Sequence, residues 1–339
     1  MKITSLLYLT SVGIFAGSLQ LPLARAADLT WNVCNSSWTD SGAWLLDGSS
    51  ADWINGSSAL FQTGSTLIVG SGISAAGLLY EGAAVTLNGG SLTLAGNASG
   101  SNGGSATLSG TALTLNSANQ EDRWTVRDTS LSGSSTLTKT GNGTVTLSGT
   151  HTANGTWNIN AGTLVFTGTR DITGGGQINI ASGAVLDASG GRLFHAANYA
   201  SNWEQPTITL NGGTLKLNQF GYNSASLGCL QNNFYALKFS SGTTSRVIIS
   251  QGYESGGTGS RGIYIAGWGT TAVIELGANQ TFTWSSSNGQ NFDSIVCESG
   301  AGSALQLDVG ENSVFNFDQK FANKNTANEY LSLIHISEP

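Results

Sequence analysis

Proline and charged side chains are scarce in this chain of 339 residues. The sequence has 3 prolines against 47 glycines, and only 10% of its residues are charged. A glycine-rich chain with few prolines, in which apolar residues recur regularly, is not typical of a disordered segment and favours many short strands. The 13 Lys and Arg residues are outnumbered by 20 Asp and Glu residues, which gives a net charge of −7. We therefore expect no nucleic-acid partner, because binding to phosphates needs clustered cations.

Residues that could hold a metal are also few. The three cysteines are Cys34, Cys229 and Cys297, and their spacing matches no metal site. We expect isolated, partly buried thiols, with a Cys229–Cys297 disulfide as the alternative in an exported chain. His151 and His195 have no other ligand at metal-binding spacing, and His151 is expected to face solvent.

The sequence contains no catalytic motif. It has no G-x-S-x-G elbow, and no phosphate-binding lysine follows glycines 174–176. The densest charged stretch, residues 121–128, predicts a solvated, self-paired loop between coils. Asp171, Asp187 and Glu204 are too far apart in sequence to be assigned to one site. We therefore predict no catalytic, cofactor-binding or metal-ligating residue and a chain that is not an enzyme.

Both ends of the chain are predicted to lie outside the fold. Residues 1–26 are typical of a secretory signal peptide with a small-x-small cleavage site, so the mature chain is expected to begin at Ala27. Residues 331–339, LSLIHISEP, match the translation of a transposase adapter used in sequencing libraries. We expect them to be a non-biological tail on a chain truncated near Tyr330, with the outer-membrane anchor beyond that point.

Residues 27–61 are rich in tryptophan. They hold four of the nine tryptophans, namely Trp31, Trp38, Trp44 and Trp53. A stack of coils exposes apolar core and unpaired strand edges at its open end, so we expect these rings to form an N-terminal cap. The alternative is a platform on which sugar rings stack, although only Asp40, Asp47 and Asp52 accompany the tryptophans there.

A ten-residue unit recurs through residues 62–330. Its copies begin at Val85, Ala106, Trp157, Ile178, Ile208, Ile274 and Leu307. The first, third and eighth positions are apolar in nearly every copy and the second is polar in all seven, an alternation that points one face inward. The sixth position is Thr111 in one copy and otherwise Gly90, Gly162, Gly183, Gly213, Asn279 or Asn312. Because Gly and Asn tolerate a left-handed backbone, we expect a bend with positive φ between two short strands.

One stretch of the repeat resembles a known family. LTKTGNGTVTLSG at Leu137–Gly149 and INAGTLVF at Ile159–Phe166 resemble the autotransporter-associated β-strand repeat of bacterial passenger domains. The resemblance implies a secreted β-solenoid and implies no reaction.

Two architectures could use the ten-residue unit, a meander of hairpins and a parallel β-helix. The intervals from residue 85 to 106 and from 157 to 178 are both about 21 residues, which suits one coil of three short strands. The other connections vary too much for a meander. We therefore predict an all-β, right-handed parallel β-helix with coils of about 21 to 30 residues, with looser, loop-rich coils over residues 189–269.

These features predict an exported bacterial passenger at the cell surface or outside the cell, with a structural or adhesive role and no cofactor. Glycans or other surface proteins are the expected partners, because the outer faces are neutral and polar. The alternative is a carbohydrate-active β-helix enzyme with its site in the loops of residues 187–268, where three or more charged groups would have to converge. A third hypothesis is a self-associating matrix protein, which would show an open strand edge or a ladder of identical residues.

Overall fold

A computed structural model provides the fold. It describes residues 28–32, 36–170, 176–193, 207–217, 235–240, 242–249, 262–265, 271–276, 278–279, 281–285, 295–297, 304–318, 321–323 and 334–337. Several predictions lie outside these residues, namely those on the signal peptide (1–26), Cys34, Asp171, His195, Glu204 and Cys229.

The described residues form strands and turns, and they include no α-helix. Alternation of polar and apolar side chains explains the strands: in Thr144–Leu147, Val145 and Leu147 are buried and the threonines are half-buried. Nearly all strands pair in parallel with a strand one coil further along the chain. The predicted all-β parallel β-helix is therefore confirmed. None of the described residues belongs to a helix long and apolar enough to cross a membrane.

The strands lie on three faces, called face 1, face 2 and face 3 in chain order. Face 1 contains β5 (Ser65–Ile68), β7 (Ala84–Asn88), β10 (Ser105–Ser109), β13 (Thr129–Ser132), β16 (Thr150–His151) and β19 (Thr169–Arg170). Later along the chain, β28 (Thr281–Ser285) and β31 (Val314–Asp318) pair with each other and precede strands of face 2 in chain order, as the strands of face 1 do.

Face 2 begins with the first residues of β6 (Ile73–Glu81), which turns from face 2 to face 3. It continues with β8 (Ser91–Leu94), β11 (Ala112–Asn116), β14 (Thr136–Thr140), β17 (Trp157–Ile159), β20 (Gln177–Ile180), β22 (Thr207–Leu210), β24 (Tyr235–Phe239), β26 (Gly262–Ile265), β29 (Ile295–Cys297) and β32 (Phe321–Asn323).

Face 3 contains the last residues of β6 and most of the remaining strands. These are β1 (Asp28–Trp31), β4 (Ser57–Phe61), β9 (Ala98–Ser101), β12 (Arg123–Val126), β15 (Thr144–Leu147), β18 (Thr163–Phe166), β21 (Val185–Ala188), β23 (Thr214–Leu217), β25 (Thr244–Ile249), β27 (Thr271–Leu276), β30 (Ala304–Val309) and β33 (Ile334–Ser337). The last of these strands lies within the predicted adapter tail. Two further strands follow in antiparallel order: β2 (Trp44–Leu46) pairs with β1, and β3 (Ser49–Ala51) pairs with β2.

Coil length changes along the chain. Leu147 pairs with Phe166, which closes a short coil of about 19 residues. Ile274 pairs with Leu307, which closes a long coil of about 33 residues. Most coils fall within the predicted range of about 21 to 30 residues, with the shorter coils in the first half of the chain and the longer ones in the second.

The ten-residue unit describes a corner of the coil, and it occurs at all three corners. The copy at Val85 turns from face 1 to face 2, the copy at Trp157 from face 2 to face 3, and the copy at Ile274 leaves face 3. The copies therefore do not all stack on one another: Trp157 pairs with Leu137 and so lies in the column of Leu113, the eighth residue of an earlier copy. The same pattern occurs at all three corners because each corner needs an inward apolar residue on either side of a sharp bend.

The bend was predicted at the sixth position. It is confirmed in five copies, where φ is +65° at Gly90, +61° at Gly162, +74° at Gly183, +59° at Asn279 and +57° at Asn312. In the other two copies the positive φ falls one residue earlier, at Gly212 (+80°) and Gly110 (+64°). The prediction was therefore wrong for Gly213, because the neighbouring glycine takes the left-handed conformation there.

The first coil closes all three faces by different means. On face 3, β1 pairs in parallel with β4 and then in antiparallel with β2, whose partner β3 is the short outermost strand. On face 2, the Asn55 amide accepts a hydrogen bond from Ser74 N (2.9 Å) and donates one to Gly72 O (3.2 Å), as a neighbouring strand would. On face 1, Trp38 N donates to Ile68 O at 2.8 Å. Strand edges that would invite another chain are thereby satisfied.

The tryptophans of residues 27–61 pack beneath this closure. Trp31, Trp38 and Trp44 are buried, with the ring centroids of Trp31 and Trp44 5.0 Å apart and edge to face. Trp53 is partly buried against the same cluster. Each buried ring removes a large apolar area from water, which stabilises the end of the stack by roughly 2 to 3 kcal/mol per side chain. This burial favours a packing role over a sugar-stacking platform.

Candidate functional site

The outward residues of face 2 form a straight column of neutral polar side chains. Its members pair in register across seven coils and are Ser74, Thr93, Thr114, Thr138, Asn158, Asn179 and Thr209. All seven are half-buried. Within the column, the Asn179 amide nitrogen Nδ2 donates to Asn158 Oδ1 at 2.9 Å. Successive members are about 4.8 Å apart because that is the spacing of paired strands. The column is an ordered surface of hydroxyls and amides.

Face 3 carries charged side chains in its later coils. Lys216 Nζ lies 3.8 Å from Asp187 Oδ2. One coil beyond Lys216, Arg246 Nη1 pairs with Glu275 Oε2 and lies 3.4 Å from Asp308 Oδ2. These side chains are 23% to 43% exposed, so their ion pairs contribute little to stability. The residues form an ion-pair ladder in which each carboxylate has a cationic neighbour.

The sequence did not predict this convergence. The acidic residues were expected to be dispersed, but Glu275 and Asp308 pair in register one coil apart, and Asp187 pairs in register with Lys216. The signal was present in the ten-residue unit, because Glu275 and Asp308 both occupy its polar second position. What was missing was the length of the long coil between them, which places one carboxylate beside the other.

The charged stretch of residues 121–128 was expected to be a self-paired loop between coils, which was wrong for Arg123–Val126, because these residues form strand β12 of face 3. Asp122 Oδ2 accepts a hydrogen bond from Asn119 N at 2.8 Å and so closes its own turn. Arg127 Nε lies 3.7 Å from Asp128 Oδ2, and both side chains are well exposed. Asp128 Oδ2 also accepts a hydrogen bond from Gly100 N of the preceding coil at 3.0 Å, and the segment presents no convergent site.

Lys139 faces into the solenoid, which the sequence analysis did not anticipate. It is fully buried, and it pairs in register with Leu115 on one side and Ile159 on the other. Its ammonium donates to the carbonyl oxygens of Thr140 (2.8 Å), Gly141 (2.8 Å) and Ala161 (3.1 Å). Burial lowers the pKa of Lys139 to about 8, while the three carbonyl acceptors favour the ammonium. The side chain therefore joins the corners of two successive coils.

His151 is also buried, so the prediction that it faces solvent was wrong. It occupies the inward position of β16, and its Nδ1 accepts a hydrogen bond from Leu131 N at 3.3 Å. Its ring lies 5.8 Å from the rings of both Trp157 and Phe166. Burial lowers the pKa of His151 to about 4, a backbone hydrogen bond at Ser148 opposes this, and the positive charge of Arg170 adds to the lowering. The imidazole is therefore neutral at pH 7.

Arg170 lies in the next coil, in register with His151. It is fully buried, its Nη2 donates to Gly155 O at 2.8 Å, and its guanidinium carbon lies 4.6 Å from the Trp157 ring centroid. A cation over an indole face is an attractive arrangement. Among the described residues, no group of three or more His, Cys, Asp or Glu side chains could hold a metal ion.

Comparison with known families identifies the segment that contains two of these buried groups. Residues 137–166 match the family model of the passenger-associated-transport-repeat. We call residues 137–166, which are similar to that repeat, the transport repeat. The transport repeat begins in β14, passes through β15, β16 and β17, and ends with β18. Lys139 and His151 lie inside the transport repeat, and Arg170 lies just after it. No curated protein and no solved structure matches the chain.

Proposed function

We propose that this chain is the exported passenger of a bacterial autotransporter and that its role at the cell surface is structural or adhesive. The transport repeat and the parallel β-helix around it support export. The single observation that supports a role in surface contact is the seven-coil column of Ser, Thr and Asn on face 2, since repeated weak contacts sum to a strong one. Attachment to the outer membrane and contact with glycans or surface proteins belong to the same proposal.

Surface display is the first test of this proposal. An epitope inserted at Gly103, an exposed turn residue with open space around it, would be probed with antibody on intact cells that express the natural gene. We expect the epitope to be accessible without permeabilisation and to be lost when intact cells are treated with protease. Cells lacking the gene should adhere less to a glycan-coated surface. An epitope accessible only after permeabilisation would contradict the proposal.

One observation favours a second function, that of a carbohydrate-active enzyme. Arg246, Glu275 and Asp308 converge on face 3, and catalysis on polysaccharides commonly uses two carboxylates. Both carboxylates lie beside the Arg246 guanidinium and are already paired by it, so we propose that the chain is not an enzyme. Incubation with a panel of neutral and acidic polysaccharides, followed by measurement of new reducing ends, should give the same rate for the parent chain and Glu275→Gln. If the parent chain releases reducing ends and Glu275→Gln does not, the result would support the hypothesis of a carbohydrate-active enzyme instead.

Self-association is a third candidate function, and the structure of the first coil argues against association end to end. The parallel stack ends there in the short strand β3, the Asn55 amide and the Ser36–Trp38 segment. An edge closed in this way discourages end-to-end stacking of two chains. Association through a face is tested together with the inference below.

A further inference from the structure

The hydroxyls at the centre of the face-2 column are not used by the protein. In the part of the chain that the structure describes, no hydrogen bond of the protein involves the hydroxyls of Thr93, Thr114 or Thr138. Other hydroxyls near the same coils are engaged, as Thr111 Oγ1 donates to Leu87 O at 3.0 Å and Thr125 Oγ1 to Asn97 Oδ1 at 3.3 Å. The three column threonines therefore present both a donor and an acceptor to solvent.

The amides that continue the column are partly used. The Asn179 Nδ2 group donates to Asn158 Oδ1, which joins the carboxamides of two successive coils. The Nδ2 group of Asn158 and the Oδ1 atom of Asn179 are not used in that bond and remain as donor and acceptor. The polar groups thus repeat at about the strand spacing of 4.8 Å over six intervals, a length of about 29 Å.

The column is uncharged over the seven coils from Ser74 to Thr209, and the exposed Lys238, which pairs in register with Thr209, continues it one coil further on. The charged ladder is on face 3, and the chain as a whole carries a net charge of −7. The net negative charge of the chain opposes the binding of a polyanion, and the seven residues from Ser74 to Thr209 offer it no cation, whereas a neutral ligand meets hydrogen-bonding groups along that whole length. A straight array of donors and acceptors fits a ligand that is itself straight and carries hydroxyls at regular intervals.

We propose that the face-2 column binds an uncharged, extended β-linked glucan that lies along the solenoid axis. This inference rests on the proposed surface exposure of the chain and names the class of ligand for it. Each hydroxyl contact is weak, and binding depends on many of them acting along one chain. The threonines at the centre of the column determine binding because their hydroxyls are free of other partners.

The test compares two triple variants of the full chain. Thr93→Val, Thr114→Val and Thr138→Val remove the three column hydroxyls while keeping β-branched side chains that suit strands. The control, Thr144→Val, Thr146→Val and Thr163→Val, makes the same change at half-buried threonines of β15 and β18 on face 3. Retention of each protein on microcrystalline cellulose is measured, with an alginate gel as the anionic comparison.

We expect the parent chain and the face-3 variant to be retained on cellulose, and the face-2 variant to lose retention by about tenfold or more, because avidity is lost with each contact. Thermal melting midpoints of all three proteins should agree. Absence of parent retention, equal loss in both variants, or stronger retention on alginate would each overturn the inference. The inference would also be overturned if the parent chain and the face-3 variant were dimers and the face-2 variant were a monomer. A second copy of the chain would then be the occupant of the face-2 column.

The two proposals fail in different ways. If the epitope at Gly103 is displayed and cells adhere, but the face-2 variant adheres equally, the glucan inference fails and the passenger proposal stands. If the epitope is never displayed, the passenger proposal fails whatever the purified chain binds.

Discussion

Gly162 lies directly against the corner of the preceding coil at Gly141. A Cβ atom on Gly162 would be 2.5 Å from the carbonyl oxygen of Gly141, and the backbone there has a φ of +61°. The same oxygen accepts a hydrogen bond from the buried ammonium of Lys139. Gly141, Gly162 and Lys139 therefore form one contact that joins two coils of the transport repeat.

Substitution of Gly162 should be far more destabilising than substitution of Gly183. Both glycines have positive φ, but a Cβ on Gly183 would meet no atom within 4 Å. Gly183→Ala should cost about 1 to 2 kcal/mol for the backbone conformation alone. Gly162→Ala adds a clash with backbone and should cost about 1 to 3 kcal/mol more, with Gly162→Val worse still. Thermal melts of the parent chain and the two Ala variants measure the difference, and equal midpoints for the two variants would contradict the corner contact.

Removal of the Lys139 ammonium should weaken the transport repeat. Lys139→Met keeps an unbranched apolar side chain but removes the ammonium donor from the carbonyls of Gly141 and Ala161, while Thr140 O keeps its hydrogen bond from Ser117 N. The expected loss is about 2 to 4 kcal/mol, since unsatisfied buried acceptors are costly. The matched control is Lys238→Met at an exposed position of β24, which should change stability by less than about 0.5 kcal/mol. Urea unfolding measures the stability of the two variants. Equal midpoints would contradict the stabilising hydrogen bonds of the buried Lys139 ammonium.

Stability should fall as the pH falls from about 6.5 to about 4, partly because of His151. Its folded pKa of about 4 lies below the ordinary value of 6.5, so within this window the unfolded chain binds more protons than the folded chain. Protonation therefore favours unfolding, by on the order of 3 kcal/mol at pH 4. His151→Gln keeps a side-chain acceptor for Leu131 N but does not titrate. Melting midpoints measured between pH 7 and pH 4 should decline less steeply for this variant, and parallel declines would contradict the burial of His151.

Asn55→Leu should loosen the first coil. The amide is the hydrogen-bond partner of Ser74 N and Gly72 O, and leucine has a similar size but no polar atom. We expect a loss of about 1 to 3 kcal/mol and faster proteolysis within the first coils. Asn88→Leu, a half-buried outward position of β7, serves as the control. Equal rates of proteolysis in both variants would show that the Asn55 amide does not close face 2.

Much of the architecture could be predicted because the solenoid repeats a local pattern. Alternation such as Thr144–Leu147 specifies which side chains point inward, and the glycine at 162 specifies a bend, and both follow from short-range backbone preferences. Coil length was harder to predict, since the chain that leaves face 3 at Ile274 returns to it at Leu307 only after one of the longest described coils. No local pattern encodes that length.

The buried polar residues could not be predicted from hydropathy. Lys139 and His151 occupy inward positions that the alternation alone assigns correctly, but their side chains suggested an outward orientation. What makes their burial favourable is a set of partners from other coils, such as Ala161 O and Leu131 N. The Arg246–Glu275–Asp308 contacts were missed for the same reason, since their residues come from three coils.

The central claim is that outward residues of successive coils form one straight column, and a single distance tests it most directly. Nitroxide labels at Thr93 and Thr209, in a chain whose cysteines are replaced by serine, are far apart in sequence but only five strand spacings apart on face 2. Pulsed electron paramagnetic resonance should give a narrow distribution near about 24 Å, because each spacing is about 4.8 Å. A broad distribution, or one centred well beyond about 35 Å, would contradict the parallel β-helix and the face-2 column.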